Sequence, residues 1–85
     1  MRAIDTNVLV RLIARDDPAQ AARAEAAVGK GAWVSHLVLA ETVWVLDAVY
    51  RRSPKQIALA VEMLLDHAQL SVQDADIVAR ALDRF

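Results

Sequence analysis

Three short β-prone runs, at residues 1–4, 32–35 and 70–72, are each followed at once by a turn or cap residue and then by a helical pattern. This alternation constrains the chain more than any other feature. Parallel strands cannot be joined by tight turns and take a crossover helix between them. The pattern therefore predicts an α/β domain: a short parallel sheet flanked by helices, here in three layers. The helices carry their own start signals. Asp17-Pro18-Ala19-Gln20 and Ser53-Pro54-Lys55-Gln56 each supply a capping side chain, a proline at the first helical position and a glutamine that can reach back to the cap. Ser35 and Asp74 are placed to cap the third and last helices, and Gly29 and Gly31 to end the Ala-rich second one. A short first helix covers residues 8–13 and breaks before Pro18.

Eighty-five residues make one small domain, residues 1–85, and the 56% hydrophobic content is high for its size. Three strands are few for a parallel sheet, which is normally covered on both faces. The last helical stripe, Ile77, Val78, Ala81, Leu82 and Phe85, has no C-cap. The expectation is a domain incomplete at its C-terminal side, with apolar surface and an unpaired strand edge that a second copy or a partner chain can bury. There is no cysteine, hence no disulfide framework and no thiolate metal site. No secretory signal pattern follows Met1, and no apolar run approaches the roughly eighteen residues of a membrane span. The cytoplasm is the default location. A net charge of −1 gives no argument for tight nonspecific nucleic-acid binding.

Asp5 ends the first strand and is followed by Thr6 and Asn7. Two readings are open. Open α/β sheets put their chemistry at the carboxyl ends of strands, and an acid ahead of Val8-Leu9-Val10 can also simply cap a helix. Glu41 lies in the most apolar helix, residues 36–50, which reads as buried on most sides. Its neighbours one turn away are Leu37, Val38, Trp44 and Val45, so no basic residue on its own helix face can pair with it. The alternatives for Glu41 are an ion pair with another element or a thin exposed edge of the helix. Asp47 differs, because Arg51 stands four residues on and an ion pair accounts for it. If Asp5 and Glu41 converge at the carboxyl edge of the sheet, they make the few-carboxylate site that Mg²⁺ and Mn²⁺ favour.

Ile4-Asp5-Thr6-Asn7-Val8-Leu9 together with residues 34–46, Val-Ser-His-Leu-Val-Leu-Ala-Glu-Thr-Val-Trp-Val-Leu, resembles the N-terminal part of the PIN domain, in particular the VapC-like toxins of bacterial toxin–antitoxin pairs. The resemblance covers essentially the whole chain. It implies a Mg²⁺- or Mn²⁺-dependent endoribonuclease acting on RNA, a homodimer, held inactive by a cognate antitoxin. By motif match Asp5 and Glu41 take the places of the family's first two metal-site acids, and Thr6 and Asn7 match the polar residues that help order the site. The family's later acids have no counterpart before Phe85. Two classes of function follow: a metal-assisted ribonuclease, or a catalytically incomplete remnant that keeps only a dimerisation or antitoxin-binding surface.

The other candidates read as structural. Asp74 and Asp76 fit the solvated start of the last helix better than a metal site, and Asp83, near Arg80 and Arg84, fits surface charge. His36, next to Ser35, reads as structural rather than as a general base. His67 ends the fourth helix, where an imidazolium would suit the helix dipole. Trp33 and Trp44 read as core or dimer-interface residues, and Arg11, Arg15, Arg51 and Arg52 as solvated.

Overall fold

The computed structural model describes residues 2–83. The elements run β1 (Arg2–Ala3), α1 (Thr6–Ala14), α2 (Pro18–Val28), β2 (Ala32–Val34), α3 (His36–Ala48), α4 (Pro54–Asp66), β3 (Leu70–Val72) and α5 (Ala75–Asp83). Met1 of the expected first strand, and Arg84 and Phe85 of the last helix, lie outside the described residues. The strands form one parallel sheet in the order β1-β2-β3, with Ala3 opposite Trp33 and Trp33 opposite Ser71. This is the α/β architecture that the alternation predicts.

Alternation along each strand sorts the side chains. Ile4, Ala32, Val34, Leu70 and Val72 are buried under the helices, while Ala3, Trp33 and Ser71 lie side by side on the opposite face and are exposed. The helices contribute Leu9, Leu12, Ala24, Val28, Leu39, Leu46, Ile57, Val61 and Leu64 to one continuous core. Helix α1 packs on α2 and α3, and α4 packs on β3 and α5. Alanines at 21 and 24 are the buried small residues of α2, and an ion pair from Arg15 to Glu25 joins the end of α1 to it. Arg15, expected to be solvated, is thereby half-engaged.

The start signals act as read, with two exceptions. Ser53 and Gln56 form the full reciprocal box: Ser53 N–H donates to Gln56 Oε1 at 2.8 Å, and Gln56 N–H to Ser53 Oγ at 3.2 Å. Asp17 caps α2 through the N–H groups of Ala19 and Gln20, without a return bond from the Gln20 side chain. Ser35 Oγ accepts from Val38 N–H at 3.1 Å. Asp74 does not cap with its side chain. Its carbonyl accepts from Ile77 and Val78 N–H, its backbone is left-handed with φ of 49°, and its carboxylate turns to His36. Ser53→Ala should cost about 1 kcal/mol and lower Tm by roughly 4–8 °C, which a thermal melt would read directly.

The expectation that α3 is buried on most sides is not met. Only Leu39, Thr42 and Leu46 are fully buried, whereas Leu37, Trp44 and Val49 are exposed. Thr42 sits in the core without penalty, because its hydroxyl donates to Val38 O at 2.7 Å. A helix on the flank of a three-stranded sheet touches neighbours along one stripe, here widened by the part-buried Val38 and Val43, and Leu37 and Trp44 face outward.

Candidate functional site

The carboxyl edge of the sheet collects the residues that follow each strand. Ile4 extends the β1–β2 pairing, its N–H donating to Trp33 O at 3.1 Å, and the chain leaves the sheet at Asp5. There the backbone is extended and Asp5 Oδ1 accepts from Val8 N–H at 3.1 Å, satisfying one of the free donors at the start of α1. The capping reading of Asp5 is thus realised, and it leaves room for the other. Asp5 is exposed, and among the described residues no donor reaches its second oxygen.

Glu41 lies in the second turn of α3, and the Thr6 hydroxyl donates to its Oε2 at 3.0 Å. This bond joins the two motifs across 35 positions of sequence and brings the Glu41 carboxylate to the helix start that Asp5 caps. Glu41 is exposed. The premise of a buried lone carboxylate is therefore corrected, and the alternative of an exposed edge of the helix holds. The physical reason is the outward-facing stripe of α3, on which Glu41 stands between Leu37 and Trp44. Asn7, also exposed, makes no side-chain hydrogen bond among the described residues, so Thr6 alone of the two polar followers engages an acid.

The donor set at this corner is oxygen throughout: two carboxylates and a hydroxyl. Hard divalent cations take such ligands and keep several waters. Asp5 and Glu41 each retain an oxygen with no protein donor among the described residues, so the residues fit a partly hydrated Mg²⁺ or Mn²⁺. No group of three His, Asp or Glu side chains able to hold a metal occurs among the described residues.

The neighbouring strand ends are tied together by other groups. His36 N–H donates to Gln73 Oε1 at 3.0 Å, and His36 Nε2 lies 3.5 Å from Asp74 Oδ2. His36 thus links the end of β2 to that of β3, a structural role. Asp76 pairs with Arg80 one turn on, at 3.3 Å. His67 Nδ1 accepts from Gln69 N–H at 3.1 Å, so this nitrogen serves the turn after α4 as an acceptor. The Asp47–Arg51 ion pair does not form among the described residues. Helix α3 ends at Ala48 and Arg51 takes a left-handed φ of 52°, which removes it from the face that the four-residue spacing assumed.

The family model of the PIN domain matches residues 3–85. The chain belongs to the PIN-domain family. No curated protein and no solved structure is significantly similar to it. PIN domains are generally nucleases that act on nucleic acid, typically with divalent metal ions, and this PIN domain is α/β with a short parallel sheet. Among the described residues no helix is long and apolar enough to cross a membrane. Of the motif residues, Thr6 and Glu41 are in direct contact, and Asp5 precedes Thr6 as the cap of α1. Trp44 is exposed and so not a core residue, and with Asp47, which has no ion pair among the described residues, it lines a cleft between α3 and the start of α4. The bare signal for this cleft was the helical spacing that puts Ala40, Val43, Trp44 and Asp47 on one face of α3.

Proposed function

We propose that this PIN domain is a Mg²⁺- or Mn²⁺-dependent endoribonuclease, the toxin of a toxin–antitoxin pair, cytoplasmic, homodimeric and held inactive by its cognate antitoxin. The reading takes residues 1–85 as a single unit of the PIN fold. The observation that carries it is the Thr6–Glu41 hydrogen bond, which ties the second motif to the residue that follows Asp5 and so supports a shared site at the carboxyl edge of a parallel sheet. Asp5 and Glu41 are the residues that would hold the ion. When bound, a divalent cation lowers the pKa of a coordinated water and offsets charge on the phosphate. Asp5 is held in place by its bond to Val8 N–H, and Glu41 by the Thr6 hydroxyl, so each carboxylate keeps one oxygen fixed and one available. Exposed Leu59 and Met63 of α4, beside Ile13, give a second copy an apolar surface to cover.

Cleavage of single-stranded RNA should appear with Mg²⁺ or Mn²⁺ and vanish in EDTA. Thr6→Val keeps the shape and removes the hydroxyl, and it should lower the rate about 10–100-fold, the usual loss for a group that orients a metal ligand. Cleavage that persists in EDTA would sink the metal-dependent reading. A chain that dimerises or binds antitoxin and cuts no RNA at any metal concentration would be the incomplete remnant instead.

A further inference from the structure

Trp44 and Asp47 are used neither by the core nor by the carboxylate corner. The Trp44 side chain is 65% exposed and follows Glu41 by three positions, so the two share a face of α3 about 4.5 Å apart along its axis. Asp47 stands one turn further. Among the described residues it makes no ion pair and no side-chain hydrogen bond, because Arg51 has turned away. Trp44 and Asp47 line a cleft of about 410 Å³ whose other walls are Ala40, Val43, Pro54 and Ile57. The cleft is apolar apart from a single carboxylate.

We infer that this cleft holds one unpaired guanine of the RNA, stacked on the Trp44 indole and bonded through its Watson–Crick edge to Asp47. The substrate class rests on the nuclease reading above; the base preference comes from the cleft. An exposed indole face can stack any base. An ionised carboxylate only accepts hydrogen bonds and has two oxygens to fill. Guanine presents two adjacent donors, N1–H and N2–H, which match both oxygens at once, as a paired fork does for arginine. Uracil offers a single N–H between two carbonyl oxygens, which the carboxylate repels, and in single-stranded RNA these edges are free. Continuity along α3 places the stacked nucleotide next to the phosphate that would meet Glu41. Trp44 and Asp47 are then specificity residues, and neither takes part in proton transfer.

The chain has two tryptophans, so Trp33→Phe leaves Trp44 as the sole indole. Titrating that protein in EDTA with the pentamers UUGUU, UUAUU, UUCUU and UUUUU should quench its fluorescence saturably, most tightly for UUGUU. By anisotropy of labelled UUGUU, Trp44→Ala should weaken binding about tenfold and Trp44→Phe much less, since stacking is what is lost. Asp47→Ala should weaken UUGUU and tighten UUUUU slightly, bringing the two to similar affinity. Absence of quenching by every pentamer overturns the inference, as does equal affinity for all four. A Trp44→Ala protein that turns from dimer to monomer with pentamer affinity intact would assign the cleft to a second copy and likewise overturn it. The two readings fail separately: guanine-selective quenching without RNA cleavage in Mg²⁺ would remove the nuclease and keep the base site, and metal-dependent cleavage without quenching would do the reverse.

Discussion

Asp5→Asn is expected to lower RNA cleavage by at least about a hundredfold while the protein melts at the wild-type temperature. Loss of groups that merely orient a metal ligand costs about 10–100-fold, so loss of a ligating charge should cost no less. The melting temperature is the informative control. Asp5 has two roles at one position: Oδ1 caps α1 through Val8 N–H, and the charge belongs to the proposed metal site. Asparagine is as good an N-cap as aspartate, so Asp5→Asn keeps the first role and deletes the second. Asp5→Ala deletes both and should add about 1 kcal/mol of destabilisation. Initial cleavage rates in Mg²⁺, measured beside thermal melts of both variants, separate the roles. Wild-type cleavage by Asp5→Asn would leave Asp5 as a helix cap and nothing more.

Leu9→Ala should be the most damaging of the simple core truncations. Leu9 is 0% exposed and stands on α1 under the sheet, in the helix that carries Thr6. Removing such a side chain costs about 3–5 kcal/mol when the cavity cannot collapse. A chain of this length holds only about 4–13 kcal/mol in total, so the variant should lose much of its stability and roughly 15 °C or more in Tm. Leu37→Ala is the matched control, since Leu37 is 68% exposed and its loss should change stability by less than about 0.5 kcal/mol. Urea titrations of the two proteins side by side would decide it. A Leu37→Ala protein as unstable as Leu9→Ala would mean that the outward stripe of α3 is covered in solution.

The order of strands and helices was legible because local signals and topology agree: Asp17, Ser35 and Ser53 mark starts that the helices respect within a residue, and parallel strands demand the crossovers between them. Of the two motif acids, Asp5 was legible as a strand-end cap, whereas the apolar company of Glu41 suggested a burial that the exposed residue does not have. Burial on α3 was not legible. A stretch that is apolar on every side carries no periodic signal to say which stripe faces the sheet, so Leu37 and Trp44 could not be told from Leu39 and Leu46. Asp47 and Arg51 failed for a different reason. The spacing rule presumes an unbroken helix, and α3 stops at Ala48 with no glycine or proline to announce it. The contact between His36 and Asp74 spans elements distant in sequence, and only the register of β2 against β3 brings it about.

The brevity of the strands has a consequence for behaviour in a crowded solution. The two outer strands are two and three residues long, and the helices that follow them carry the chain out of the sheet plane at once. A visiting strand laid along either margin would form very few backbone hydrogen bonds before running out of template. Growth of fibres by strand addition needs a long, flat and repetitive margin, and this sheet has none among the described residues. A polymer built on the described sheet would be assembled through side chains, and the tendency to form one would then be tunable by single surface substitutions without touching the sheet.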